Sequence, residues 1–354
     1  MTVAVLIPTY CSTSTIDAAL ASVAAQSAPP DEVVVVDDNS SDDTPERVLA
    51  WADRLPITLL QNQSNVGVGT SRRRGVSAAT SDFIALLDHD DVWFPDHLET
   101  LTRLAADRCT IAAPRVLRWL PGKTIAFPDD SLIPHQEHLE DELFRRNYIV
   151  TGAMFPRAAF MSLHVHSPSR TVDDWESWIR LVVEANCHIV VARTPTLLYR
   201  SSPTQASSGD GCLLDEIDLL ERLLAEPAYR PHRRSLEEAL ERRHHRVHLL
   251  AAFELAAQGH DFAARKAFLR VALRDRSLRG GAKPVPVGSL TLRALLGCLS
   301  PRRALERRSE HLSSSAVSVP ATAEPTPFMG SSTPGLERLS NLHRPSWRHR
   351  ANPQ

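Results

Sequence analysis

The sequence predicts an α/β fold: a doubly wound, mainly parallel sheet flanked by helices, followed by a helical appendage and a tail. Three observations carry this. First, short unbroken apolar runs at 3–8 (VAVLIP), 33–36 (VVVV) and 83–87 (FIALL) are each stopped by Pro or Asp. Central strands covered on both faces have that signature. Second, segments with apolar residues at helical spacing separate the runs, which is the alternation of βαβ units. Third, Thr9-Tyr10, Asp37-Asp38 and Asp88-His89-Asp90-Asp91 each stand just past a run. Ligands bind at that edge of an open α/β sheet.

Taken in order, strand 3–8 leads to helix 16–26, strand 33–36, helix 44–53, strand 57–60, helix 69–79 and strand 83–87. Helices follow at 96–106 and 137–146, and residues 149–161 are half strand, half helix. Residues 174–185 carry Trp175, Trp178, Leu181 and Val182 at helical spacing, and two strands follow at 188–192 and 196–200. SSPTQASSGD (201–210) is a loop by composition, which puts the end of the first domain at 210. Arg-rich helices follow at 213–225, 235–257 and 261–274, the last opened by Asp261 as an N-cap. Residues 280–288 form a Gly/Pro linker and 289–309 one more short helix, so the appendage is 211–309. The stretch 310–354 is rich in Ser, Pro, Thr and Arg and is expected to be disordered.

Composition excludes several classes. The chain has 354 residues, 40 Lys+Arg and 42 Asp+Glu, so it is not an evident nucleic-acid binder. Its five cysteines show no C-x-x-C spacing, which excludes a sequence-readable zinc knuckle or disulfide framework and suits a cytoplasmic protein. MTVAVLIPTY has no signal-peptide pattern, and no run of about 18 apolar residues exists to span a membrane. Peripheral contact with the inner face of a membrane stays open, as does the oligomeric state. No H-E-x-x-H and no G-x-S-x-G occurs, against zinc and serine hydrolase chemistry.

Asp88-x-Asp90 is the sharpest signal. Two carboxylates at a strand end suit a hard divalent cation, Mg²⁺ or Mn²⁺, with a diphosphate completing its shell. Asp37 or Asp38 can accept from a base or a ribose hydroxyl; the plain reading of the segment is helix capping, with Ser40, Ser41 or Asp43 opening the next helix. Thr9 and Tyr10 offer backbone for a base edge and a ring to stack on it. Gly67, in Asn65-Val66-Gly67-Val68-Gly69, allows close backbone approach to a ligand ahead of a helix bearing Arg72, Arg73 and Arg74, of which a solvated basic face accounts for at least two. Asp173-Asp174 opens a helix, where capping is the plain reading and a general base the functional one.

VAVLIPTY, ASVAAQS, EVVVVDDNSSDDT, NVGVGTSRRRG, SDFIALLDHDDVWFPDHLE, TVDDWESWIRL and LLYR follow one another over roughly residues 1–205. Together they resemble glycosyltransferase family 2. The resemblance implies a GT-A type, Rossmann-like fold and an inverting transferase with a nucleotide-diphosphate sugar donor, most often UDP-linked. It implies nucleotide contacts at Pro8, Thr9, Tyr10, Asp37 and Asp38, and the D-x-D at Asp88 and Asp90, with Asp90 the direct metal ligand. It places the catalytic base at Asp174, with Asp173, Trp175 and Trp178 on the acceptor side. The acceptor is a glycan, a lipid-linked species or a small molecule. Two departures touch the acceptor class: LHVHSPSR replaces a Gly-Gly-Phe-Asp-type loop, and Asp173 replaces the usual Glu. A sugar nucleotidyltransferase and a non-catalytic nucleotide-sugar binding or scaffold protein are the alternatives.

Overall fold

The structure, a computed structural model, describes residues 1–105, 109–120, 123–127, 139–149, 151–163, 171–200, 211–274 and 300–301. The expected loop at 201–210, the linker at 280–288, most of the helix at 289–309 and the tail lie outside the described residues. The chain divides into two compact units, Met1–Ala239 and Leu240–Gln354.

The first unit begins with β1 (Val3–Thr9), α1 (Ile16–Ala24), β2 (Glu32–Asp37), α2 (Thr44–Leu49), β3 (Ile57–Gln61), α3 (Val68–Ala78) and β4 (Phe83–Leu86). It continues with β5 (Val92–Trp93), α4 (His97–Leu104), β6 (Thr110–Leu120), β7 (Lys123–Phe127), α5 (Leu139–Arg145), β8 (Met154–Pro156), α6 (Arg157–Met161), α7 (Asp173–Val183) and β9 (His188–Arg200). The strands form one sheet in the order β3-β2-β1-β4-β8-β6-β9-β5, with β7 paired to β6. The half from β3 to β4 is parallel throughout. In the other half β8 runs antiparallel to β4 and β6, β9 runs parallel to β6, and β5 runs antiparallel to β9.

Both faces of β1, β2 and β4 are covered, which is why Val3–Ile7, Val33–Val36 and Phe83–Leu86 are apolar and buried; the edge strand β3 is only half-covered and carries exposed Thr58 and Gln61. On one face Val5, Ile7, Val33, Val35, Phe83 and Ala85 pack with Ile16, Leu20 and Val23 of α1, Val48 of α2 and Leu98 and Leu101 of α4. On the other face α3 lies close to the sheet. A Cβ on Gly75 would stand 2.1 Å from Leu6 Cδ1 and 3.0 Å from Val36 Cγ2, so glycine sets that approach.

The sequence pattern misses β5, β6 and β7. Pro114, Arg115 and Arg118 interrupt the apolar run of β6, so no period-2 pattern stands out. The two strands expected at 188–192 and 196–200 are one strand, β9. Pro195, opposite Arg115, marks a register irregularity rather than a break. The half-strand, half-helix reading of 149–161 is met by β8 and α6.

The first unit extends past residue 210 to take in α8 (Gly211–Ala225), a 3-10 turn at Pro227–His232 and the start of α9 (Arg233–Ala257). In the second unit the rest of α9 pairs with α10 (Asp261–Arg274). Leu249, Ala252, Phe253 and Ala256 pack on Ala264, Phe268 and Val271 around the positive-φ turn at Gly259. No helix among the described residues is long and apolar enough to cross a membrane.

Candidate active site

Parallel register brings the strand ends together. Thr9 pairs with Asp37 across β1 and β2, and Asp38 N donates to Thr9 O at 2.8 Å. Beyond them the chain turns sharply: Cys11 (φ 46°) and Asn39 (φ 64°) both hold left-handed backbone, a local cost the surrounding fold must enforce. Cys11 N donates to Ser40 Oγ, 2.8 Å, locking the two turns to each other. Asp37 is buried and accepts from Ser40 N and Oγ. Asp38 is buried and accepts from Asn62 Nδ2 (2.8 Å), Val66 N (2.9 Å) and Gly67 N (2.8 Å). Its carboxylate therefore shapes the loop before α3, in which Gly67 has φ 89°. Pro8 is buried in β1, while Tyr10 lies 49 % exposed at the lip.

The second constellation gathers around one guanidinium. Arg72, on α3, donates from Nη2 to Asp88 Oδ1 (2.7 Å) and from Nη1 to Asp173 Oδ2 (2.8 Å). Thr151 Oγ1 also donates to Asp88, 3.2 Å. Asp88 and Asp90 are half-buried, and Asp91 is fully buried. Asp91 accepts from Arg200 N at 3.1 Å, fastening the end of β9. Burial first, then the Asp88 and Asp90 charges, holds its carboxyl well above the usual range. His89 Nδ1 lies 3.0 Å from Thr15 Oγ1, a contact to the start of α1.

Asp174, half-buried in the first turn of α7, accepts from Asn147 Nδ2 (3.1 Å) and its own neighbour Trp175 N (2.6 Å). Desolvation first and the Asp173 charge second push its carboxyl up, against the pull of Arg72. Helices α3 and α7 meet closely here: a Cβ on Gly69 would stand 2.9 Å from Asp173 Cβ. A narrow cleft is lined by Arg72, Asp173, Asp174, Ser177, Phe155 and Trp178, among others.

Residues 4–163 match the family model described as glycosyl transferase family 2. This part of the chain belongs to that family. The succinoglycan biosynthesis protein ExoW of Rhizobium meliloti is 46% identical over 65 residues, 17% of this chain and 20% of that protein. The Escherichia coli UDP-Glc:alpha-D-GlcNAc-diphosphoundecaprenol beta-1,3-glucosyltransferase WfgD is 38% identical over 97 residues, 27% of this chain and 38% of that protein. These matches thus span well under half of either relative. Among solved structures, S. aureus TarS 1-349 in complex with UDP-GlcNAc has TM-score 0.59 at 18% identity, over 88% of this chain and 92% of that one. The mannosyltransferase PcManGT of Pyrobaculum calidifontis, in complex with GDP-Man and Mn2+, has TM-score 0.51 at 19% identity, over 89% and 85%. At such identities the likeness establishes the GT-A fold.

Within this family 2 domain the residues singled out from sequence fall into two groups. Pro8, Thr9, Tyr10, Asp37, Asp38 and Gly67 line or support the β1–β2 end. Asp88 and Asp173 share Arg72, and Asp173 and Asp174 line one cleft with it. Trp175 is a core residue whose indole N–H donates to Leu143 O, 2.8 Å. Trp178 is also buried, edge-on to Phe155 with centroids 5.5 Å apart, and lines the cleft. The departing segment LHVHSPSR lies outside the described residues from position 164 onward.

The sequence assigns at least two of Arg72, Arg73 and Arg74 to a solvated basic face without saying which, and it does not point to Asn147 or Thr151. Arg72 was findable: Gly69, Arg72 and Val76 recur at i, i+3 and i+7, so they share the inward face of α3. Asn147 and Thr151 carried no such signal, because their neighbours form no periodic element.

Proposed function

We propose that the chain is an inverting glycosyltransferase that moves a sugar from a nucleotide-diphosphate donor, UDP-linked by preference, to an acceptor hydroxyl. The observation that carries this is the union of Asp88, Asp173 and Asp174 around Arg72, beside strand ends that carry Asp37 and Asp38. That ligands bind at this edge of an α/β sheet supports it, as do the donors bound by the GT-A neighbours, UDP-GlcNAc and GDP-Man.

A divalent metal, Mg²⁺ or Mn²⁺, belongs to this reading. Among the described residues no three His, Cys, Asp or Glu side chains are grouped to hold one. Such cations need no protein cage of that kind: one or two carboxylates plus substrate phosphates suffice. Asp88 and Asp90 are hard oxygen donors on one tight turn, closed by Asp91 N donating to Asp88 O at 3.0 Å, and they fit. Bound there, the cation supplies charge stabilisation to the leaving diphosphate.

The chain's own residues supply the rest. The backbone and side chains at Thr9, Tyr10, Asp37 and Asp38 orient the nucleotide. Asp174 takes the proton of the acceptor hydroxyl as that oxygen attacks the anomeric carbon from the face opposite the leaving group. A carboxyl raised above its ordinary value is a stronger base than a solvated one, and it works near neutrality because about half is ionised there. Asn147 fixes one of its oxygens, and the backbone N–H of Trp175 the other.

The test is a panel of UDP-, TDP- and GDP-sugars, read by thermal shift with and without Mn²⁺ and then by turnover. One UDP-sugar should raise the melting temperature in a concentration-dependent way and be consumed. If none binds, the donor reading fails; if one binds tightly but is never turned over with any acceptor, the chain is a binding module.

A further inference from the structure

Helix α7 carries Asp174 at its start, and the segment beyond β9 grips it along its whole length. Thr171 Oγ1, just ahead of α7, donates to Asp215 Oδ2 at 2.6 Å. Arg222 donates to both oxygens of Glu176 at 3.2 Å each. Arg180 donates to both oxygens of Glu226, at 2.9 and 2.7 Å. Tyr229 donates to Glu184 at 2.8 Å. The paired residues are 44, 46, 46 and 45 apart in sequence, so the rungs of this ladder keep one register from Thr171 to Glu184. Arg180 also bonds Glu176 and Glu184, which ties the rungs together.

This is a costly way to hold a helix. The Glu176 side chain is 0 % exposed and that of Arg180 3 %. Buried ion pairs add little stability over apolar packing, but they accept only one geometry. Glu176 lies two residues after Asp174, about 200° around the helix. The ladder therefore holds α7 from behind while Asp174 faces the cleft with Arg72 and Asp173.

We infer that Arg222 and Glu226 are positioning residues for Asp174: α8 and the turn at Pro227–His232 form a splint that sets the base against the acceptor without touching substrate. This rests on the reading of Asp174 as the base. It makes residues 211–232 part of the catalytic machinery rather than of an appendage, and it singles out a rigid geometry rather than charge at the cleft. The nucleotide side of the site, at the ends of β1 and β2, is held by separate contacts and should be indifferent to the splint.

The experiment compares the full chain with Arg222→Met, Arg222→Lys and Glu226→Gln. Turnover is expressed per donor site counted by calorimetry, so that misfolded protein does not enter. Glu226→Gln is the mild arm, because Arg180 keeps Glu176 and Glu184. Misplacing a catalytic group by about 1 Å costs roughly 100-fold, so Arg222→Met should lose at least about tenfold in kcat. Donor KM and Kd should stay within about twofold of the parent, Glu226→Gln should fall between, and Arg222→Lys should recover most of the loss. Unchanged kcat per site in Arg222→Met and Glu226→Gln overturns the inference. So does a parallel loss of donor affinity, which would make the ladder a general scaffold. If the parent chain transfers sugar but Asp174→Asn does so equally well, the base reading has failed instead, and the two failures are told apart.

Discussion

Replacing Asp174 with asparagine should separate stability from catalysis. The folded carboxyl is pushed from its ordinary 3.8 to about 7, by desolvation first and Asp173 second. Between those values the folded chain binds the proton more tightly than the unfolded chain. Stability is therefore lost as pH rises through the window, and the deficit persists above it. The gap corresponds to at most about 4 kcal/mol. Asp174 is only half-buried, so solvent screening reduces this to about 2–3 kcal/mol. Asparagine removes the charge but has one oxygen for the two donors, Asn147 and Trp175 N, which loses about 1 kcal/mol. Asp174→Asn should thus be about 1–2 kcal/mol more stable than the parent at pH 8 and near parity at pH 5. Transfer should fall about 10²–10⁴-fold. Urea unfolding at the two pH values, with turnover on the same samples, measures both. A variant equally destabilised at pH 5 and pH 8 would refute the raised carboxyl, and one that keeps its turnover would refute the base.

Four further substitutions probe the same framework. Arg72→Met strands Asp88 and Asp173 without their shared cation; it should cost about 2–4 kcal/mol and, by removing the charge that lowers Asp174, move the acid limb of the pH–rate profile up by about one pH unit or more. Gly69→Ala gains about 1 kcal/mol of helix propensity but presses Asp173 at 2.9 Å, so stability should stay within about 1 kcal/mol of the parent while kcat drops about tenfold; Gly75→Ala, which meets Leu6 at 2.1 Å in the core, should instead lose about 1–3 kcal/mol. Asp38→Asn leaves one oxygen for three donors and should lower both stability, by about 1–3 kcal/mol, and donor affinity, read by calorimetry.

The legible half of the fold is the half whose physics is local. Strands β1, β2 and β4 are covered on both faces, so their central residues are apolar and each run ends where the polar edge begins. Parallel register brings those ends, and the candidate residues they carry, to one edge of the sheet. What escaped is set by partners far away in sequence. Strand β6 holds Arg115, which donates to Arg193 O of β9 at 2.9 Å, so its polar residue is satisfied across the sheet and spoils the local pattern. Composition alone does not tell Arg72 from Arg73 and Arg74, because the carboxylates of Arg72 lie 16 and 101 residues away. The role of α8 was hidden for the same reason. An Arg-rich, Glu-rich helix resembles a solvated one until Arg222 is seen against a carboxylate that is wholly buried.

Charge at the cleft makes one more demand, which bears on the metal. Asp88, Asp173 and Asp174 gather around Arg72, which engages Asp88 and Asp173, and Asp90 stands on the same turn as Asp88. A donor brings a diphosphate, itself anionic, to this edge. Two unit charges about 4 Å apart repel by about 4 kcal/mol at an effective dielectric of 20, so the donor would be opposed unless a cation at Asp88 and Asp90 offsets it. Donor affinity should therefore depend on Mg²⁺ or Mn²⁺, with chelation weakening it about 100-fold, roughly 3 kcal/mol. The free nucleoside, which lacks the diphosphate, should bind equally with or without the metal through the β1–β2 end. Calorimetry on chelated protein reads both arms without any turnover. Equal affinity of the nucleotide sugar in the presence and absence of metal would mean that Arg72 leaves Asp88 and Asp173 to meet the diphosphate, and Arg72→Met would then abolish binding rather than shift the pH profile.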